Sequence, residues 1–527
     1  MATKPNPTHR SWPVSLAGIL TLLLMAVTAA RASAAVLRVG TWHGKRGDFT
    51  TIQGAVDAAH PGDWILIAPG DYHERADYRD PGPATDAGAG VMIRTPSIHL
   101  RGLDRNRVIV DGTTPGSAPC DASAAVQDVG PRDADGHPVG RNGVEAFEVD
   151  GVTIENLTVC NFLRVQDGGN EIWFNGGDGT GSVHMGPFTG RYLSATSTYY
   201  DGQGNRGEYG IFVSNARGPG MIAHTYASNM ADASYYVGAC PDCNTLLTDA
   251  HAENSALGYS GTNSGGHLIV EKSEWDENKT GISANSQNND DAPSPQDGAC
   301  PGGGTGPKGS HSCTVFRKNF IHDNNNPNVP SAGSAAFGPV GTGMVIAGGR
   351  NDTIVDNRVR NQGSWGILVV PFPDAGPPPD VAHCEGGAMN VIPGFCYYDS
   401  WGHEVARNRF KNVGFFGNTG NGDLAEISAQ HDPGSCWHDN KDASRTVSSA
   451  PANLQTTHAT CGAPGAGASL TDALTAQVLC ATEVFGPCPD QPGMHYPRAT
   501  QVQLKALPKE KSMPNPCKGV PANPWCR

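Results

Sequence analysis

The feature that most constrains the fold of this chain is a unit of about two dozen residues that occurs three times in succession. The copies read GIFVSNARGPGMIAHTYASN (Gly210–Asn229), SYYVGACPDCNTLLTDAHAEN (Ser234–Asn254) and GYSGTNSGGHLIVEKSEWDEN (Gly258–Asn278). Their terminal asparagines lie 25 and 24 residues apart. Short alternating apolar runs separated by Gly and Asn turns, at this period, indicate a β-solenoid.

The same pattern extends beyond these three copies. Each occurrence has an apolar anchor, a second apolar residue five positions later and an asparagine two or three positions after that. The matches are Ile154/Val159/Asn161, Ile222/Ala227/Asn229, Leu247/Ala252/Asn254, Val270/Trp275/Asn278, Phe316/Ile321/Asn324, Ile354/Val359/Asn361 and Val405/Phe410/Asn412. An alternating strand precedes most anchors by about twelve residues, so each rung has three short strands that pair only with the next rung, about 4.8 Å away. Crossover chirality favours the right-handed coil, and we predict an all-β, right-handed parallel β-helix.

Three further asparagines, Asn319, Asn357 and Asn408, lie three residues after their anchors in consecutive rungs. Stacked amides can hydrogen-bond to each other and to turn backbone inside such a coil. We therefore expect a structural ladder rather than a catalytic group.

The run YGIFVSN…ADASYYVGACPDCNTLLTDAHAEN…GISANS, followed later by GILVVPFP, resembles secreted bacterial β-helix repeat proteins of the pectin-lyase-like superfamily. The resemblance covers about Phe49 to Asp439. The resemblance implies the fold. It does not imply one activity, because the superfamily includes lyases, glycosidases, esterases, epimerases and non-enzymatic members. The run Trp64–Glu74 resembles the early strand and G-x-Y-x-E turn of such proteins, in which the glutamate is structural.

The ends of the chain indicate three regions. Residues 1–34 have basic residues, an apolar run and Ala32-Ser33-Ala34, the order of a secretory signal peptide, and we find no other membrane-spanning segment. Residues 35–435 are predicted to form the β-helix, whose open N-terminal end is closed by a short helix from Ile52 to Ala59. Residues 436–527 are predicted to form a Cys- and Pro-rich C-terminal cap.

Fourteen cysteines in an exported chain indicate several disulfides. Locality favours Cys300–Cys313, Cys384–Cys396, Cys480–Cys488 and Cys517–Cys526. Cys240-Pro-Asp-Cys243 is interpreted as a small disulfide loop or as two halves of separate bridges.

A net charge of −14 makes nucleic acids and anionic lipid poor partners for the chain. An anionic polysaccharide requires a local basic patch or bridging cations. We expect a secreted or periplasmic monomer with a polysaccharide or glycan as its partner.

The candidate catalytic residues are found by stacking equivalent positions of successive rungs. Tyr226, His251 and Glu274 each lie four residues after an anchor, so they become neighbours on one outer face, with His224, Asp249 and Lys272 on the adjoining turn. A base, an acid and a cation in reach of each other suit proton abstraction beside a sugar carboxylate or acid/base glycoside cleavage. The alternative is a solvated column in which unlike charges alternate.

A second column contains Glu208 and Asp232, two carboxylates that repel unless a proton, a basic side chain or a cation such as Ca²⁺ lies between them. Asp290, Asp291 and Asp297 can add oxygens. Calcium at Glu208 and Asp232 is therefore one hypothesis, and no other cofactor is expected.

Three longer segments interrupt the repeat. Arg164–Gly207 is interpreted as an aromatic-rich loop, and Ser286–Ser312 and Pro371–Trp401 are expected to leave the coil at one corner and to wall a cleft.

The sequence is compatible with two alternative functions. The first is an exported polysaccharide lyase or hydrolase, and the second is a non-catalytic β-helix that binds glycans or other surfaces, or serves the cell envelope. The sequence contains no HExxH, GxSxG or phosphate-binding loop, and it lacks the paired motifs of polygalacturonases and alginate epimerases.

Overall fold

The computed structural model describes residues 34–76, 87–177, 183–202, 204–287, 304–305, 311–374, 393–428, 434–461, 472–482 and 494–526. Within this part of the chain, nearly all regular structure is parallel β-sheet. Two large sheets enclose one core that runs from Val39 in the first rung to Leu454 beyond the last.

One of these sheets has eleven strands among the described residues, one from each rung after the first, and neighbouring strands pair in parallel. Its strands are Gly88–Ile93, Arg141–Phe147, Asn170–Asn175, Tyr209–Ser214, Ala233–Gly238, Leu257–Thr262, Thr280–Asn285, Thr342–Ala347, Trp365–Val370, Gly422–Glu426 and Ser449–Ala450. We call it the eleven-stranded sheet.

The other large sheet has nineteen strands in the described residues and bends along its length into two panels. The first panel, which carries the anchors, contains Val36–Val39, Trp64–Ile67, His99–Gly102, Leu268–Glu271, Thr314–Arg317, Thr353–Val355, Glu404–Ala406 and Cys436–His438. The second panel contains Gly70–Tyr72, Val108–Asp111, Glu274–Asp276, Phe320–His322, Arg358–Gln362, Arg409–Val413 and Lys441–Asp442. Four long strands cross the bend and belong to both panels: Val152–Cys160, Phe188–Thr196, Gly220–Ser228 and Thr245–Glu253.

The remaining elements are short. Within the described ranges, three antiparallel pairs join Thr41–Trp42 to Lys45–Arg46, Gly304–Thr305 to His311–Ser312, and Phe372–Asp374 to Cys396–Tyr398. The α-helices in the described part of the chain are α1 (Ile52–Ala58), α2 (Leu454–Thr457) and α3 (Asp472–Thr482), and single 3₁₀ turns cover Ala124–Val126 and Gly333–Phe337.

Strand register confirms the predicted stacking. Ile222 lies opposite Leu247, and Leu247 lies opposite Val270, each in a parallel pair. The anchor column continues through Phe316, Ile354, Val405 and Trp437. The predicted fold class, a right-handed parallel β-helix with an N-terminal capping helix and disulfides in its C-terminal region, is therefore confirmed.

The prediction that Arg164–Gly207 is a loop was wrong, because this segment contains a complete rung. Its strands Asn170–Asn175 and Phe188–Thr196 pair on both sides with their neighbours. The anchor of this rung is Gly190, which lies opposite Ile154 and Ile222. A Cβ atom at Gly190 would lie 2.9 Å from Ile222 Cδ1, so the space of an apolar anchor is already filled by its neighbour.

In the five repeats with the shorter ending, the terminal asparagine has a backbone reason. Asn161, Asn229, Asn254, Asn361 and Asn412 all have φ between +50° and +66°, the left-handed region. Other L-residues pay roughly 1–2 kcal/mol there, and asparagine is enriched in it. Each of these residues turns the chain at the corner after the second panel.

The predicted asparagine ladder is confirmed and is one residue longer than expected. Asn319 Nδ2 donates to Asn357 Oδ1 at 3.0 Å, Asn357 Nδ2 donates to Asn408 Oδ1 at 3.0 Å, and Asn408 Nδ2 donates to Asn440 Oδ1 at 3.0 Å. The three predicted residues are completely buried. The ladder satisfies polar backbone groups inside the coil, which is a structural role.

The N-terminal end is closed by α1, as predicted. The backbone N–H groups of Ile52 and Gln53 donate to Glu74 Oε1 and Oε2 at 2.5 and 3.1 Å. Ile52, Ala55 and Val56 face the core. Glu74 therefore anchors the first turn of the helix, which agrees with the structural role expected for it.

The coil extends into residues 436–527, the region expected to form the C-terminal cap. Cys436–His438 pairs with Glu404–Ala406 as another rung, so the coil continues past residue 435. Residues 494–526, which we call the C-terminal strap, then lie along the outside of the coil. Tyr496 stacks near Trp365 in a late rung, whereas Trp525 Nε1 donates to Lys45 O at the first turn, 3.0 Å away.

The disulfide predictions are partly confirmed. Cys517–Cys526 forms as predicted, and Cys240–Cys243 forms the small loop. Cys120–Cys160 and Cys436–Cys461 were not predicted. Cys300, Cys384 and Cys488 lie outside the described residues, so the three pairings that involve them stay predictions.

Candidate functional site

The proposed catalytic column exists as a line of outward positions on the second panel. Tyr226 lies opposite His251, and His251 lies opposite Glu274. In the other direction the missed rung places Ser194 beside Tyr226. Beyond Glu274, the column continues through Phe320, Arg358, Arg409 and Lys441.

His251 and Glu274 line one open depression of about 500 Å³ where the two panels meet. Its other lining residues are Asp249, Ala250, Lys272, Ser273, Lys318, Phe320 and Arg358. Asp249, Lys272 and Lys318 have φ between +49° and +57°, because the chain bends at this position in their rungs. The expected turn residues Asp249 and Lys272 therefore do adjoin the column.

Tyr226 is next to His251 but does not open into the depression. The two rings lie 5.5 Å apart, and the Tyr226 side chain is buried, with 1% exposure. Its hydroxyl donates to Glu253 Oε1 at 2.7 Å, and Glu253 is in turn paired with Lys505 of the strap. Burial, together with the charge of Glu253, raises the pKa of Tyr226 well above its ordinary value, which disfavours the phenolate.

His251 forms a short pair with Asp276. Its Nε2 lies 2.7 Å from Asp276 Oδ1 on the neighbouring rung. Burial alone would lower the pKa of His251, but the hydrogen bond and the charge of Asp276, with Glu253 and Glu274 nearby, raise it above the ordinary value. The pair therefore favours an imidazolium that can donate a proton.

Glu274 is paired with a histidine that the sequence analysis did not select. His322 Nε2 lies 3.0 Å from Glu274 Oε1, and His322 Nδ1 lies 2.7 Å from Asp323 Oδ2. Only a doubly protonated ring donates to both carboxylates. The ring of His322 also stacks on Phe320, with centroids 4.0 Å apart.

The strongest charged feature of this face is a set of stacked cations. Arg358 lies opposite Arg409, which lies opposite Lys441, and Arg360 lies opposite Lys411. We call these five residues the cation columns. All five are exposed, and none forms an ion pair with a carboxylate in the described part of the chain. The guanidinium groups of Arg358 and Arg360 lie 4.5 and 5.6 Å from the centre of the Phe320 ring.

The signal for the cation columns is present in the sequence. Basic residues recur at outward positions four and six residues after the anchors Ile354 and Val405. Two basic residues on one strand are common, but their repetition in successive rungs places like charges directly opposite one another, which is destabilising without a counter-charge.

Glu208, next to Asp232, is held by two arginines. Arg206 Nε donates to Glu208 Oε2 at 2.6 Å, and Arg164 Nη1 lies 3.8 Å from Glu208 Oε1. Burial and the charge of Glu208 raise the pKa of Asp232 to about 8. A basic side chain and a proton thus relieve the repulsion, and calcium remains a prediction that this geometry does not require. Asp290, Asp291 and Asp297 lie outside the described residues.

A serine, a histidine and an aspartate also meet inside the coil. The proton on the histidine ring is on the nitrogen that faces the serine, so the histidine does not activate the serine as a nucleophile. His403 Nδ1 accepts a hydrogen bond from the Asp352 backbone N–H at 3.2 Å, so the ring proton is on Nε2, 3.0 Å from Ser400 Oγ. The Ser400 hydroxyl donates to Gly349 O. His403 therefore cannot take the serine proton, and burial lowers its pKa to about 3.

The cleft expected beside the two late insertions cannot be located in the described residues. Both insertions do leave at one corner, between the eleven-stranded sheet and the first panel. Residues 288–303, 306–310 and 375–392, which make up most of them, lie outside the described residues. The depression at His251 lies at the next corner of the coil.

Several solved structures resemble this chain, at low sequence identity. The A-module of a mannuronan C-5 epimerase from Azotobacter vinelandii is 12% identical with a TM-score of 0.42, over 76% of this chain and 86% of that one. A mannuronic acid specific family 6 polysaccharide lyase from human gut microbiota is 13% identical with a TM-score of 0.38, over 78% and 83%. A family 28 exopolygalacturonase from Yersinia enterocolitica is 13% identical with a TM-score of 0.40, over 78% and 76%.

No family model and no curated protein sequence matches the chain. Among the described residues, no helix is long and apolar enough to cross a membrane.

Proposed function

We propose that this protein binds a carboxylate-bearing polysaccharide along the second panel and cleaves it at the depression that contains His251 and Glu274. The observation that carries the proposal is the pair of cation columns, Arg358–Arg409–Lys441 and Arg360–Lys411, on a chain whose net charge is −14. Like charges at strand spacing repel, and a polyanion that runs along the coil axis meets a new cation at each rung.

The columns lead directly to the depression. Arg358 belongs to both, and Lys318 lies at the bend of the preceding rung. Phe320, beneath Arg358, presents part of an aromatic ring on which an apolar sugar face can stack. A polymer held by the columns would therefore extend over His251 and Glu274.

The residues at the depression suit β-elimination better than hydrolysis. Lys318 and Arg358 can neutralise the uronate carboxylate, which makes the adjacent C–H more acidic. A basic group then removes that proton while an acid protonates the leaving glycosidic oxygen, and the C–O bond breaks to leave an unsaturated sugar. We assign the base to the Glu274 carboxylate and the acid to His251, whose pKa is raised.

A second candidate is a non-catalytic protein that binds the same polymer. One observation favours it, because both assigned groups already have partners, His251 with Asp276 and Glu274 with His322. A reacting substrate would have to displace His322 from Glu274.

Export to an oxidising compartment is part of the proposal. The described residues contain four disulfides with both partners in place, and such bridges are rare in reducing cytosol. Detection of the processed chain in the culture supernatant or periplasm, starting near Ala35, is the expected result.

A turnover screen tests the catalytic proposal. Carboxylated and neutral polysaccharides are incubated with the protein, and unsaturated-product absorbance and new reducing ends are measured. We expect activity on carboxylated polymers, with loss of at least about a hundredfold in kcat for His251→Ala and Glu274→Gln, the range for removing a general acid or base.

His267→Ala is the matched control, since His267 forms a similar pair with Asp242 at 2.8 Å, at a different corner. Binding without turnover would support the second candidate. Full activity in His251→Ala, or equal activity on neutral polymers, would refute the assignment.

A further inference from the structure

A mixed cluster of one histidine and two aspartates lies on the outer face of the second and third rungs, far along the chain from the cation columns. The strands Gly70–Tyr72 and Val108–Asp111 pair in parallel, with Asp71 opposite Ile109 and Tyr72 opposite Val110. The next pair in this register is His73 with Asp111. Since side chains alternate along a strand, Asp71, His73 and Asp111 share one face while Tyr72 and Val110 enter the core.

The proton position on His73 is determined by its surroundings. His73 Nδ1 lies 2.8 Å from the backbone oxygen of Thr113, which can only accept, so Nδ1 carries the proton. In the neutral ring Nε2 then presents a lone pair, and it lies 3.3 Å from Asp71 Oδ2, which also presents lone pairs. Two acceptors facing each other at this distance require a cation or a proton between them.

The carboxylates are positioned as ligands as well. Asp111 is fully buried, and its oxygens accept from the backbone N–H groups of Thr113 and Cys120 at 2.8 and 2.6 Å, which fixes its orientation. Thr113 therefore orients both His73 and Asp111. Asp71 Oδ1 is buried and has no hydrogen-bond partner in the described part of the chain. One ligand atom from each of the three residues lies within 4.8 Å of the other two.

We propose that Asp71, His73 and Asp111 bind one divalent transition-metal ion of the zinc class. An imidazole with two carboxylates is a donor set for such ions, and the contact of the other ring nitrogen with a backbone carbonyl is the usual support of a metal-binding histidine. A histidine ligand disfavours calcium and magnesium, which prefer oxygen. Side-chain exposures of 11% for His73 and 22% for Asp71 leave a path for the ion and for water ligands.

The ion would join the second rung to the third beside the Cys120–Cys160 disulfide, which clamps the same turn. Its role would be to stabilise the N-terminal end of the coil. The site is independent of the depression at His251.

The test is metal loading of the whole purified protein. The protein is treated with EDTA, incubated with Zn²⁺ and freed of excess metal, and bound zinc is measured by mass spectrometry. Co²⁺ loading is followed by visible absorption. We expect about one equivalent of zinc, visible cobalt bands and a higher unfolding temperature with zinc.

His73→Gln and Asp71→Asn should each lose the bound zinc, the cobalt bands and the temperature shift. His60→Gln should retain all three, because His60 is an exposed histidine beside another aspartate, 3.7 Å away. Asp71→Asn keeps the contacts of His73 and Asp111 with Thr113. It therefore tests the proposal even if His73→Gln does not fold. Equal zinc content in the wild type and in Asp71→Asn would overturn the proposal in favour of a proton between His73 and Asp71.

Discussion

Removal of the Asn357 side chain tests whether the asparagine ladder stabilises the coil as the stacking implies. Asn357 Oδ1 accepts from the backbone N–H and the side-chain Nδ2 of Asn319, both at 3.0 Å, and Asn357 Nδ2 donates to Phe316 O and Asn408 Oδ1. In Asn357→Ala the backbone N–H of Asn319 and one of its side-chain N–H groups lose their acceptors in a fully buried place.

The magnitude follows from those two donors. An unsatisfied buried donor costs about 1–3 kcal/mol, so the free energy of unfolding should fall by about 4 kcal/mol. Denaturant unfolding followed by circular dichroism and tryptophan fluorescence measures this change.

Asn515→Ala provides the matched control. Asn515 is exposed and accepts one hydrogen bond, from Cys517 N at 3.0 Å, so its replacement should cost less than about 1 kcal/mol. If Asn357→Ala and Asn515→Ala lowered the unfolding free energy equally, the ladder would not have the structural role assigned to it.

Two further predictions concern charged groups. Burial raises the pKa of Glu145, Asp352 and Glu426 to about 7 each, so the folded state holds these protons more tightly than the unfolded state. Their contribution to stability is present below the unfolded pKa values and is lost as pH rises through about 7, so the thermal midpoint should fall between about pH 5 and pH 8. Glu426→Gln should reduce this fall, and a midpoint independent of pH would contradict the reasoning. Lys505→Ala removes the ion pairs of the strap with Glu253 and Glu277. Thermolysin should therefore cleave the strap faster while the coil stays intact. An unchanged cleavage rate would show that Lys505 does not hold the strap on the coil.

The repeat could be predicted from the sequence because each rung presents the same chemistry at the same place. The anchors Ile222, Leu247 and Val270 are apolar since they face the core, and Asn229 and Asn254 recur since they turn the chain with positive φ. The rung anchored by Gly190 was missed for a packing reason. The side chain of Ile222 fills the space that an apolar anchor would occupy at Gly190. The sequence therefore shows a glycine where the repeat pattern requires an apolar residue.

The candidate site was predictable only in part. Stacking placed His251 beside Glu274 correctly, because both belong to repeats of similar length. It could not show that Tyr226 is buried beside Glu253 and Lys505, since Lys505 comes from the strap, 252 residues beyond Glu253. The cluster of Asp71, His73 and Asp111 was missed because the first rungs do not match the repeat, so their register is not readable from spacing.

The most direct measurement for the central claim is the binding of a carboxylated polysaccharide to the cation columns. Affinity electrophoresis through gels containing polygalacturonate or alginate, at low and high salt, compares the wild type with Arg358→Glu/Arg409→Glu. A second double variant, Arg46→Glu/Lys511→Glu, makes the same charge change at exposed residues away from the columns. We expect retardation of the wild type and of the second variant that weakens with salt, and loss of retardation in Arg358→Glu/Arg409→Glu. Equal retardation of the two double variants, or none for the wild type, would contradict the claim.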